Sequence, residues 1–185
     1  MRTANRKDFA VPPPGDSLLD LMKSASLAVV SVGKVASIFD GCGITADRPA
    51  HGNDESMDAT LAALAHSPAG LIFSNFGDFD TLWGHRNDAA GFARGLEAFD
   101  RRLPQLCAAL RSDDCLMITA DHGCDPAAPG TDHTREYAPI LVFNRRLCGG
   151  VNLGVRSSLA DLGQTIAENF SLRLEHGSSF LRDLR

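Results

Sequence analysis

Cys115-Leu116-Met117-Ile118-Thr119-Ala120-Asp121-His122-Gly123-Cys124-Asp125-Pro126 is the stretch whose reading decides the fold. Its first five residues form an apolar run that stops at turn residues, the pattern of a buried strand. Asp121 and His122 then fall at the carboxyl end of that strand, where open α/β sheets place their ligands. Gly130-Thr131-Asp132-His133-Thr134-Arg135-Glu136 follows and brings a second imidazole, His133. A carboxylate and two neutral imidazoles make a donor set suited to zinc or manganese. The same residues also fit a polar turn with two solvated histidines.

A second stretch repeats the pattern. Gly70-Leu71-Ile72-Phe73 is apolar, and Ser74-Asn75-Phe76-Gly77-Asp78-Phe79-Asp80-Thr81-Leu82-Trp83-Gly84-His85-Arg86 follows it. Again a carboxylate and a histidine, Asp80 and His85, lie just past a strand. Neighbouring parallel strands expose their C-terminal loops on one sheet edge, so the two stretches can converge on a single site.

The remaining chain alternates in the same way. Asp16 or Ser17 can cap a helix running to about Ser26. Leu27 to Val32 is a β-branched apolar run, the pattern of a buried parallel strand, and Gly33-Lys34 ends it. Residues 40–53 read as loop, with His51 on the surface. A helix is expected from about Asp54 to His66. A longer one, capped by Asn87 or Asp88, should run to about Leu110, with Pro104 kinking or breaking it. Pro139 to Phe143 is a further strand, Leu159 to Phe170 a last helix, and the tail reads as polar. Four strands alternating with helices imply an α/β fold with a mostly parallel sheet covered on both faces.

Composition narrows the classes of function. The chain has 185 residues and a net charge of -5, with no basic stripe, which argues against nucleic acid as a partner. No apolar run approaches the roughly 18 residues of a membrane span, and the N-terminus lacks a signal-peptide core. Five cysteines without regular spacing suggest reduced thiols and a cytoplasmic location. An acidic chain can still bind phosphorylated substrates when metal ions supply the positive charge.

The words DFDTLWGHRNDAAGFARGLEAFDRRLPQL and ITADHGCDPAAPGTDHTREYAPILVF closely resemble phosphopentomutases, members of the alkaline phosphatase superfamily of two-metal phosphotransferases. VGKVASIFDGCGIT and NRKDFA resemble them as well, so the likeness covers nearly the whole chain. It implies an alkaline-phosphatase-like core, incomplete on its N-terminal side. It also implies two domains' worth of material: residues 1–14 as the end of a capping domain and a hinge, and residues 15–185 as the C-terminal part of the metal-binding core.

Carried over position by position, the resemblance makes Asp80, His85 and His133 ligands of one metal ion, and Asp121 and His122 ligands of the other. Manganese is the metal it implies, with zinc as the competitor. Lys34 would reach the phosphate of the substrate, a ribose or 2-deoxyribose phosphate whose phosphoryl group moves between C1 and C5. The family's nucleophilic threonine and one further aspartate ligand have no match here. Thr3, Thr45, Thr60 and Thr81 fall in segments that match other parts of the family. The expectation is therefore a truncated chain with one metal site furnished and the other half furnished. It would need a missing N-terminal half, or it would associate with itself. The alternatives are a non-catalytic metal-binding remnant and a residual metal-dependent phosphatase.

Overall fold

The computed structural model describes residues 10–147 and 149–184. Its centre is a three-stranded parallel sheet in the order β2-β1-β3, formed by β1 (Ala28–Val32), β2 (Ala46–Arg48) and β3 (Gly70–Ser74). Four of the five residues of β1 are buried, because both faces of the sheet are covered. On the Val29 face, Leu19 and Met22 of α1 (Leu18–Ser24) pack together with Leu71, Ile166 and Phe170. On the Val32 face lies α3 (Gly52–His66), whose Thr60 hydroxyl is 2.7 Å from that of Ser74. The chain is therefore an α/β fold with helices on both sides of a parallel sheet.

Local chemistry sets the ends of these elements. Ser17 caps α1 in a reciprocal box: its backbone N–H and its hydroxyl donate to Asp20 at 2.9 and 2.6 Å, and Asp20 N–H donates back to the Ser17 hydroxyl at 3.4 Å. Asp88 caps α4 (Ala89–Ala109), accepting from Gly91 N–H at 2.7 Å. A four-residue helix, α2 (Val35–Ile38), starts directly after Lys34.

Four expectations need correction. First, β4 (Leu116–Thr119) and β5 (Ile140–Phe143) do not extend the parallel sheet; they pair antiparallel as a separate ribbon. Second, the segment read as loop contains β2. Its sequence, Ala-Asp-Arg, is short and polar, and it is held by pairing with β1 and by a side-chain hydrogen bond from Ser31 to Asp47. Third, Pro104 does not break α4, which runs through it as one helix. The proline is exposed, and so is Asp100 one turn earlier, so solvent can satisfy the carbonyl that the proline leaves without a donor. Fourth, the tail is not wholly polar. Phe180 is the largest fully buried side chain among the described residues. It is anchored where its N–H meets the Thr165 hydroxyl of α5 (Ala160–Asn169), at 3.0 Å. Residues 1–9, and with them most of the expected capping segment, lie outside the described residues.

Candidate metal centre

The stretch after β3 does not continue as an ordinary loop. Phe79–Trp83 forms a single π-helical turn, and Gly84–Arg86 a 3-10 turn. Wide turns of this kind are rare and recur at functional sites. Here the turn carries Asp80, and the 3-10 turn carries His85.

Asn87, in the left-handed conformation, ends the 3-10 turn. Its side-chain amide donates to the carbonyls of Pro126 (3.3 Å), Ala128 (3.0 Å) and Gly130 (2.8 Å). One side chain thus ties the first ligand segment to the loop that leads to His133. The sequence suggested Asn87 only as a helix cap, and Asp88 takes that role. The only sequence signal was the Asn87-Asp88 pair itself, since asparagine tolerates the left-handed conformation that ends a turn.

The second segment is closed by its own pairing. Thr134 N–H donates to the Gly123 carbonyl at 3.2 Å, and Asp125 N–H donates to the Thr134 hydroxyl at 2.7 Å. Gly123 has to be glycine, since a Cβ there would stand 2.7 Å from backbone atoms of Thr134 and Glu136. This crossing lays the His122 ring on the His133 ring, with centroids 3.5 Å apart.

The result is a compact donor set. Asp80 Oδ1 lies 3.1 Å from His133 Nε2 and 3.2 Å from His85 Nε2. Asp80, His122 and His133 each offer an atom within 4.8 Å of the others. Two ligands held tetrahedrally at about 2.1 Å from one ion stand about 3.4 Å apart, so these separations suit a shared ion. The far sides of two rings are also fixed. His85 Nδ1–H donates to the Thr131 carbonyl at 2.5 Å, and His122 Nδ1–H to the Gly123 carbonyl at 3.1 Å. Each Nε2 is thereby left as the acceptor, the tautomer a metal ligand needs. The donor set fits a divalent transition metal on both counts.

The remaining site residues are distributed less tightly. Asp121 has a side chain 78% exposed and, among the described residues, pairs with His122 alone, at 3.5 Å. His122, which the resemblance assigns to the other ion beside Asp121, stands between Asp121 and the Asp80–His133 pair. Lys34 does not join the histidines. It lines a separate cavity of about 120 Å³ with His51, Asn75, Asp78 and Thr81. Asp78 plays a structural part, accepting from Asn53 N–H at 2.7 Å at the start of α3. Arg86 and Arg135 form no ion pair among the described residues. Cys124 packs beneath the site, where a Cβ on Gly84 would meet its sulfur at 2.4 Å. Burial, and then the nearby Asp80, Asp125 and Glu136 carboxylates, push its thiol above the ordinary range. That favours a packed thiol over a reactive one.

An α/β fold that gathers imidazoles and carboxylates from the segments after β3 and β4 defines a metal-dependent enzyme class, and the chain belongs to the metalloenzyme superfamily, whose model matches residues 3–174. Within that class its resemblance to phosphopentomutases holds from end to end. The phosphopentomutase of Caldanaerobacter subterraneus subsp. tengcongensis is 50% identical over 185 residues, covering 100% of this chain and 47% of the relative. That of Clostridium novyi is 48% identical over 99% of this chain and 47% of its own length. A Shewanella phosphopentomutase (strain ANA-3) is 51% identical over 97% and 45%. The chain therefore spans about half the length of the curated relatives it matches. No described helix is long and apolar enough to cross a membrane.

Proposed function

We propose that the chain supplies the metal-binding part of a phosphopentomutase-type enzyme, which moves a phosphoryl group between C1 and C5 of ribose or 2-deoxyribose. The observation that carries this reading is the Asp80 carboxylate set between His85 and His133, in a chain matched throughout by phosphopentomutases. Asp80, His85 and His133 would hold one Mn²⁺, and Asp121 and His122 would contribute to a second. When bound, such ions neutralise charge on the phosphoryl group and activate the oxygen that attacks it.

The protein's own side chains do the rest. The Thr131 and Gly123 carbonyls keep His85 and His122 in the tautomer that offers Nε2. Lys34, at the end of β1, would meet the sugar phosphate as a point charge. No threonine here is assigned as phosphoryl carrier. Thr45 exchanges hydrogen bonds with the backbone of Val29, Thr60 donates to Ser56, and Thr81 donates to Gly77. The full mutase reaction is accordingly assigned to this chain together with the sequence that its relatives carry beyond the match. Residues 1–14 are taken as the end of a capping domain and a hinge.

Manganese titration of the purified chain tests the reading. One tight equivalent, abolished by His133→Ala, is the expected result, together with no turnover of ribose 1-phosphate by the chain alone. A folded chain that binds no manganese would overturn the proposal. Metal-dependent hydrolysis of an aryl phosphate, lost on Asp80→Ala, would replace the mutase reading with a phosphatase.

A further inference from the structure

A larger cavity, of about 340 Å³, opens between α3 and α4 on another side of the π-helical turn. Its size falls at the lower end of the range of small-molecule sites, roughly 300–1,000 Å³. Its walls are of two kinds. Trp83, Phe76, Phe99 and the buried Met57 supply apolar and aromatic surface, and Arg94 and Arg101 supply positive charge.

The aromatic wall is held in place by close packing. Trp83 lies against Gly91 and Gly95 of α4, where a Cβ would stand 2.4 and 2.2 Å from its ring. Phe76 and Phe99 meet edge to face with centroids 5.1 Å apart. Both arginines are exposed. Arg94 makes a loose contact with Asp88, at 4.0 Å. Arg102, also on the rim, is committed to Asp58 at 2.6 Å. The acidic groups facing the cavity are Asp54 and Asp78, and Asp78 is engaged by Asn53 N–H.

A planar ring and an anionic group in one small molecule match these two walls. We infer that this cavity binds a nucleoside monophosphate, its base on the Trp83–Phe99 surface and its phosphate on Arg94 and Arg101. Every base offers a π-face on which an aromatic side chain can stack. Arginine presents the planar donors that phosphate accepts.

The site has a built-in consequence. Trp83 is the last residue of the turn that carries Asp80, and its carbonyl accepts from Asp88 N–H at 3.0 Å. A ligand that fixes Trp83 also fixes Asp80. Occupancy of the cavity therefore tightens metal binding, and metal tightens the nucleotide by the same factor. This inference is independent of the mutase reading, because it needs neither Lys34 nor a pentose substrate.

Trp83 is the chain's single tryptophan, so its emission reports the cavity directly. The full chain, stripped of metal, is titrated with adenosine 5′-monophosphate while emission is followed, and separately with adenosine and with inorganic phosphate. Saturable quenching by the monophosphate is expected, with adenosine and phosphate each at least tenfold weaker. Arg94→Ala with Arg101→Ala should weaken it tenfold or more and leave manganese affinity in the absence of nucleotide unchanged. Asp80→Ala should leave nucleotide binding to the metal-free chain intact. Quenching that survives the double arginine change, or phosphate alone binding as tightly as the nucleotide, overturns the assignment. So does the absence of both an emission change and calorimetric heat at millimolar ligand.

Discussion

His133 Nε2 lies 3.1 Å from Asp80 Oδ1, although the two residues stand on opposite sides of a 21-residue helix in the sequence. The contact joins the segment after β3 to the segment after β4. Replacing His133 by Ala removes a donor from the closest pair in the site and leaves the core untouched. Manganese affinity should fall well beyond tenfold, with thermal stability in chelator unchanged. Asp80→Ala should cost more affinity than Asp121→Ala, since the Asp121 side chain is 78% exposed and stands 3.5 Å from His122 rather than between two imidazoles. Isothermal titration with manganese ranks the three variants.

Asn87 holds three carbonyls of the loop that leads to His133. Asn87→Ala should release that loop and weaken metal binding by about 10–100-fold, the usual cost of losing a group that positions a ligand. Asn87→Asp should do no better, because a carboxylate cannot donate to carbonyls. A variant with wild-type affinity would show that the loop is positioned by other means.

Gly95 is the floor beneath Trp83. In Gly95→Ala the new methyl would meet a rigid indole at 2.2 Å, and the ring must move. Overpacking of this kind costs about 1–3 kcal/mol. Urea unfolding should show that loss, and a shifted Trp83 emission maximum should accompany it in the native state.

The cap of α1 gives a pH-dependent prediction. The hydrogen bond from the Ser17 hydroxyl holds the Asp20 carboxyl below its ordinary value, and partial burial opposes it. A depressed carboxyl stabilises the fold above its unfolded value of about 3.9, and the contribution fades as pH falls through the folded value. Ser17→Ala should destabilise the chain by about 1 kcal/mol at pH 7, with a smaller difference near pH 3. Denaturation midpoints at the two pH values provide the check.

Much of this was legible in the sequence because apolar runs and turn residues mark strand ends directly. β1, β3 and β4 each stop within a residue of the expected position, and Asp80, His85, Asp121, His122 and His133 all follow such ends. The parts that were not legible depend on partners far away in the sequence. β2 carries no hydrophobic pattern, since an edge strand of three residues is held by backbone pairing with β1. The antiparallel direction of β5 is a property of the pair and not of Ile140–Phe143 alone. Phe180 sits in a largely polar tail, and its backbone is fixed by α5, whose Asp161 and Thr165 accept from the Ser178 and Phe180 N–H groups. The role of Asn87 lies in three carbonyls about forty residues away.

The uninterrupted course of α4 through Pro104 bears on how this chain tolerates change in length. The helix leaves from the first ligand segment, and the chain returns through β4 to the second. Each residue added to or removed from an α-helix turns everything beyond it by about 100° and shifts it by about 1.5 Å. An insertion between Asp88 and Leu110 would therefore rotate one ligand segment out of register with the other. Insertions and deletions should be carried instead by the irregular span from 149 to 157, outside the Asp80–His133 excursion.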